Sequence, residues 1–250
     1  MRFIPWFPAI GIASAALAQI SPTSKAPVDQ LIPWLLNEDH QLRGGIPFSE
    51  VIFDTTGRKV LPFESNSAVD QRVAKAISTA CDKTMERLNA PDSAIQNVDR
   101  INEVSSHFED TLRELLNTTP GLQCDFPRTV EGKVQRSGYP DLRIMDVQSK
   151  RVFYLDPKLY AAGSRDSSFR TFYFEPKKST NKVRDDAVHF VVGFEHAPRE
   201  TGSGAAKATW KFTRWDLVDL SRFSVKLKAE FQGSNRDMYR QEAIVASSAK

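Results

Sequence analysis

Apolar positions along the chain fall into periodic stretches separated by polar turns. From about Ser67 to Leu88, residues Val69, Val73, Ala76, Ile77, Ala80 and Leu88 recur at three- and four-residue steps, a spacing that predicts a helix. Asn89-Ala90-Pro91-Asp92-Ser93 stops it, and Asp92 or Ser93 is placed to cap a second helix running to about Leu116. Val98, Ile101, Val104, Phe108, Leu112 and Leu115 make one stripe of that helix. Glu103, Asp110 and Glu114 fall on the opposite side. Glu109, at about 100° per residue, lands on the border of the stripe near Leu112 and Leu116.

Past Gly121 the period becomes that of strands. Arg128 to Arg136 alternates enough for one. Two short apolar runs, Leu142–Val147 and Val152–Leu155, flank Gln148-Ser149-Lys150-Arg151, which is a hairpin signal. Arg170–Glu175, His189–Phe194 and Ala208–Leu217 read as further strands, and Lys177–Asp186 is polar with room for one or two helical turns. Phe223–Phe231 fits strand and helix equally, and a solvated tail follows from Gly233. Ahead of the helices, Leu31–Leu36 is a short apolar segment expected to dock on the domain. Ile46–Phe53 and Lys59–Phe63 around a Gly57-containing turn read as a second hairpin. Helices followed by a β-rich stretch predict an α+β domain, grading into α/β, with a central mixed sheet flanked by helices.

Composition changes the picture at the N-terminus. Met1-Arg2, an apolar run from Phe3 to Leu17 and Ala16-Leu17-Ala18 before Gln19 form a signal peptide with an A-x-A-like cleavage site. The run is short for a membrane span, and no other stretch is long and apolar enough for one. The expected organisation is a leader over 1–18, an extension of hairpin plus helix packed on the core over 19–90, the core over 91–232 and a tail over 233–250. The mature protein is then secreted or periplasmic. In that oxidising setting Cys81 and Cys124 are expected to form a disulfide, the alternative being two buried thiols.

The net charge of +3 hides an asymmetry: residues 1–127 hold 11 Lys+Arg against 16 Asp+Glu, residues 128–250 hold 23 against 15. The basic half carries Arg143, Lys150, Arg151, Lys177, Lys178, Lys182 and Arg184, with Arg165 and Arg170, a cation density suited to a phosphate backbone. The competing reading is a solvated basic face. Gly202–Thr209 lacks Walker A spacing, and His189 and His196, seven apart, face oppositely on a strand, which disfavours a zinc site.

The central hairpin carries the chemistry. With a loop of two or four residues, position 141 pairs with 158 and position 143 with 156, and alternation puts Asp141, Asp156 and Lys158 on one face. A three-residue loop would separate Asp141 from the other two. Two carboxylates offer hard oxygen ligands for Mg²⁺ or Mn²⁺, and a neighbouring lysine can orient or activate water. An ordinary hairpin with a solvated ion pair is the alternative.

Pro140-Asp141, fourteen residues and then Asp156-Pro157-Lys158 resemble the PD-(D/E)xK, or restriction-endonuclease-like, nuclease superfamily. The resemblance covers roughly Asp92 to His196. It implies a helix–three strands–helix–strand core, although the second helix would be short here. It also implies a metal held by Asp141 and Asp156, Lys158 acting on the water, and Glu109 as a third, helix-borne carboxylate. The middle residue of the last triplet is usually apolar, and Pro157 puts the length of its strand in doubt. The activity implied is metal-dependent phosphodiester hydrolysis of nucleic acid, DNA before RNA. An exported non-catalytic binding domain and a hydrolase of some other phosphate ester are the alternatives.

Overall fold

A computed structural model describes residues 31–37, 44–168, 172–199, 209–228 and 232–247, and the chain divides into two units: Gly44–Leu227, and Met1–Arg43 with Lys228–Lys250. In the second of these units residues 31–37 are helical and Asn235–Met238 form one helical turn. The leader and most of Gly202–Thr209 lie outside the described residues.

The larger unit is built on β5, Val152–Ala161. To one side β5 pairs antiparallel with β4, Leu142–Asp146, which pairs antiparallel with β3, Leu122–Asp125. To the other it pairs in parallel with β6, Ala187–His196. The far edge of β6 takes β2, Val60–Leu61, in parallel and β7, Phe212–Asp219, antiparallel. A second, two-stranded ribbon joins β1, Ile46–Pro47, to β8, Ser224–Val225. The architecture is α+β with a central mixed sheet flanked by helices.

Alternation divides the sheet into two unlike faces. Leu142, Ile144, Phe153, Leu155, Val188, Phe190, Val192 and Phe194 point to one side. There they bury against α2, Ala68–Asn89, and α3, Ile101–Asn117, through Val73, Ile77, Val104, Phe108, Leu112 and Leu116. The first lies where the periodicity predicts; the second begins later than expected, at Ile101, after a separate 3₁₀ turn over Ala94–Asn97 that Ser93 precedes without a side-chain cap. Ser67 caps α2 by accepting from the Asp70 N–H. The opposite face carries Asp141, Arg143, Tyr154, Asp156, Lys158 and His189 and is only partly covered, by a cluster around Phe48, Ile52, Tyr139, Val183 and Leu220.

Four further elements differ from the sequence expectation. The hairpin over 46–63 is instead α1, Phe48–Thr56, because Phe48 and Ile52 bury at helical spacing and Gly57 (φ 69°) ends the helix, its N–H bonding Phe53 O at 2.7 Å. Residues 128–136 double back at Gly132 (φ 79°) through one Arg128–Val134 bridge. Residues 172–186 carry no helix or strand, so the β5-to-β6 crossover has no helix among its described residues. The short strand β3 is an addition.

Pro157 does not shorten its strand. Pairing with β4 ends at Leu142↔Leu155, so from Asp156 onward β5 is partnered only by β6. A proline is tolerated on such an edge, and β5 runs through it to Ala161 in unbroken register with β6. Cys81 and Cys124 are free, buried thiols on α2 and β3, correcting the expected disulfide. Both belong to the apolar core, and burial pushes each thiol far up from its ordinary range.

Candidate active site

The hairpin loop is Val147–Lys150, one residue earlier than expected: Asp146 N–H bonds Arg151 O at 3.0 Å, and Lys150 closes the turn at φ 61°. The register is therefore Leu142↔Leu155 and Arg143↔Tyr154, displaced by two from the expected pairing. A shift of two preserves the face. One step beyond Leu142, Asp141 comes level with Asp156, and Lys158 follows on the same side.

Lys158 Nζ forms an ion pair with Asp156 and lies 4.0 Å from Asp141 Oδ2. Glu109 reaches the same cluster from α3, where its charge acts on Asp141, Lys158 and Lys182. Arg136 holds it, donating from Nη2 to Glu109 Oε2 at 2.9 Å and from Nη1 to Asp110 Oδ2 at 3.1 Å. The four residues expected to do chemistry are thus brought together.

Their electrostatics are those of carboxylates crowded in a dry place. Burial pushes the Asp141 carboxyl up to about 8, the neighbouring charges of Asp156 and Glu109 add to this, and Lys158 opposes it. Burial alone would lower the Lys158 ammonium, but Asp156 and Asp141 outweigh it and the net direction is up. Asp156 Oδ2 is buried with no donor aligned for a hydrogen bond, only the ionic contact of Lys158. That leaves a hard, anionic oxygen facing the cluster, which fits a cation. Among the described residues no three His, Cys, Asp or Glu side chains stand close enough to enclose a metal ion. Two carboxylates completed by water and substrate oxygens are what Mg²⁺ commonly takes.

The basic residues fare differently. Arg143 is committed to Asp185 in a bidentate pair (2.8 and 2.9 Å), which Tyr154 joins by donating its hydroxyl to Asp185 at 2.8 Å. Arg151 is tied to Asp70 (2.8 Å), and Lys150 lies in the hairpin turn, at the end away from Asp156. Lys177 pairs with Glu175 at 2.7 Å, while Lys178 and Arg184 are exposed. Arg184 also donates to Thr129 O at 3.3 Å.

Lys182 is buried, correcting its placement on a solvent-facing nucleic-acid surface. It donates to the carbonyls of Gln135 (3.1 Å) and Arg136 (3.4 Å), and burial lowers its ammonium against the pull of Asp141, Asp156 and Glu109.

Sequence reasoning missed a buried polar pair behind the carboxylates. The Tyr139 hydroxyl and His189 Nδ1 are 2.6 Å apart, and His189 Nε2 is buried without a partner. Burial drops the His189 imidazole to about 3 and raises the Tyr139 hydroxyl, with Asp156 and Asp141 adding to the latter. The only signal in the sequence was the polar His189 inside an apolar run.

A sheet edge presenting two buried carboxylates and a lysine, with a helix-borne glutamate beside them, defines a nuclease of the PD-(D/E)xK, restriction-endonuclease-like class. The match is extensive: a family model of the type II restriction enzyme MjaV family covers residues 42–242. The curated protein "Type II restriction enzyme MjaV" of Methanocaldococcus jannaschii is 29% identical over 212 residues, spanning 80% of this chain and 87% of that protein. The chain belongs to the MjaV type II restriction enzyme family.

Proposed function

We propose that this nuclease is a DNA endonuclease, hydrolysing phosphodiester bonds with Mg²⁺ or Mn²⁺ held by Asp141 and Asp156, and with Glu109 as a third carboxylate acting through water. The bound cation would stabilise the negative charge that develops on the phosphate. Lys158, kept protonated by its two carboxylate neighbours, is a hydrogen-bond donor rather than a base: it orients the attacking water and holds a phosphate oxygen. Asp156 fixes that ammonium in place. Arg136 presents Glu109 and can release it, because it has Asp110 and the Ser106 carbonyl as further partners. DNA as the substrate is supported by the family, whose M. jannaschii member is a restriction enzyme. The observation that carries the mechanism is the convergence of Asp141, Asp156 and Lys158 on one sheet face.

The test is cleavage of plasmid and single-stranded DNA by the purified protein with Mg²⁺ or Mn²⁺, beside Lys158→Ala. Metal-dependent cleavage by the wild type, reduced about 100-fold or more in the variant, is expected from loss of a charge-stabilising donor. Equal cleavage by both proteins, or none by the wild type with either metal, overturns the reading.

The apolar leader supports export to a periplasm or the exterior, with the mature chain beginning at Gln19. N-terminal sequencing of fractionated protein checks this, and an intact Met1 in the cytosolic fraction refutes it.

A further inference from the structure

Beside Lys158 the carboxylate face of the sheet opens into a cavity of about 590 Å³, which Lys158 itself helps to line. Its next rung on β5 is Tyr160, two residues along the same face and thus roughly 6.5 Å away. Diagonal to it on β6, level with Lys158, stands Gly193, where a Cβ would come within 3.1 Å of Tyr160 Cε1. The absent side chain is what lets the tyrosine ring lie close against the strand. The Tyr160 hydroxyl donates to Asp216 Oδ2 at 3.4 Å, and Asp216 is itself paired with Arg214 at 2.8 Å and Arg165 at 3.5 Å. Phe172 and Phe223 supply further aromatic surface, and Val218 is an exposed apolar side chain in the wall.

The lining excludes most groups that a nuclease handles. A phosphate backbone would enter a mostly apolar chamber whose lining cations are already paired, Lys158 with Asp156 and Arg165 with Asp216, at a steep desolvation cost. A nucleobase fits: it has a flat π face to lie on an aromatic ring and a polar edge for groups such as Asp216 and Arg165. Position points the same way. A strand of B-DNA advances about 3.4 Å per nucleotide, so a phosphate at Lys158 leaves the tyrosine within two nucleotides of the cut. We infer that this cavity receives one nucleobase turned out of the duplex beside the scissile phosphate, with Tyr160 as its platform. The inference rests on the DNA-nuclease reading above.

Sign, rather than size, makes the test decisive. A mismatch within a recognised sequence ordinarily weakens binding. At an extruded nucleotide it must tighten binding, because the pairing that extrusion breaks is already lost. After the cut is mapped with wild type, the cleavage-deficient Asp141→Ala protein is titrated by anisotropy with duplexes mismatched singly at each position around it. One position within two nucleotides of the cut should bind on the order of tenfold tighter than the matched duplex. That gain should vanish when Val218→Trp fills the cavity or Tyr160→Ala removes the platform, each in the same background and each shown folded by its melting transition.

Weakening or indifference at every position overturns the inference, as does a gain that survives both pocket variants, which would assign the effect to duplex flexibility or the cavity to another occupant. A failure of the underlying reading is seen separately and earlier, as absent cleavage by wild type and absent binding of matched DNA.

Discussion

Asp141 is where function and stability pull in opposite directions. Its carboxyl is held up to about 8 in the folded protein against an ordinary value near 3.9, so the folded state keeps a proton that the unfolded chain releases. A group raised in this way contributes stability that is complete below about pH 4 and is lost as pH rises through 8. Asp141→Asn removes the titration while keeping the shape. In EDTA the variant should melt above the wild type, by about 2–4 °C for each 1 kcal/mol relieved, with the gap opening between pH 4 and 8. Added Mg²⁺ should raise the melting temperature of the wild type and leave the variant unmoved. A wild type that melts above the variant in EDTA at pH 8, or equal metal responses, would refute this account.

His189 titrates with the opposite sign. Burial lowers it from about 6.5 to about 3, so stability is complete above pH 6.5 and declines as pH falls toward 3, by at most about 1.4 kcal/mol per pH unit. His189→Gln should be less stable than wild type at pH 7, since Tyr139 loses its partner, and the difference should narrow steadily toward pH 4 in urea unfolding. A constant difference across that range would mean that the imidazole does not titrate between the two states. The polar trio of the site was legible because alternation is indifferent to a register slip of two. Tyr139, His189 and Lys182 were not, since nothing local distinguishes a buried polar side chain from an exposed one. Tyr139 is covered by Phe48, Phe172 and Phe174, and His189 by Phe48, all from distant parts of the chain.

At the scale of elements, the long amphipathic helices declared themselves because each repeats its pattern over several turns. Short elements did not. The four residues of β3 carry two buried positions, Leu122 and Cys124, too few to set a period, and α1 shows only Phe48 and Ile52 before the Gly57 cap. Pro157 was misleading for a different reason: whether a proline breaks a strand depends on which neighbour stops pairing, and that is set by where β4 ends. Its ring points to the helix-packed face, between Leu155 and Leu159. Pro157→Val, close in volume, should therefore keep the fold, change stability by less than about 1.5 kcal/mol and retain metal-dependent cleavage. Loss of cleavage with an unchanged melting temperature would show instead that the proline sets the spacing of Asp156 and Lys158.

For the whole molecule the basic half of the chain promised a broad phosphate-binding surface, and the fold spends much of that charge internally. Of the seven cations placed around the motif, Arg143 is bound to Asp185, Arg151 to Asp70 and Lys177 to Glu175, and Lys182 is enclosed beside the carboxylates. Lys150 stands at the far end of the hairpin, which leaves Lys178 and Arg184 as exposed cations of that set on the crossover near the site. Lys158 adds one charge at the site itself, and Lys177, whose partner Glu175 is exposed, can turn to phosphate as well. Each neutralised phosphate contributes about −0.9 to the slope of log K against log salt on B-DNA. Seven contacts would give a slope near −6, and the four cations left available give about −3 to −4. Anisotropy titrations of Asp141→Ala on one duplex between 50 and 200 mM salt should return the shallower value, and Arg184→Ala should reduce it by about 1. A slope near −6 would mean that DNA opens the Arg143–Asp185 and Arg151–Asp70 pairs, and removing those arginines would then flatten it further.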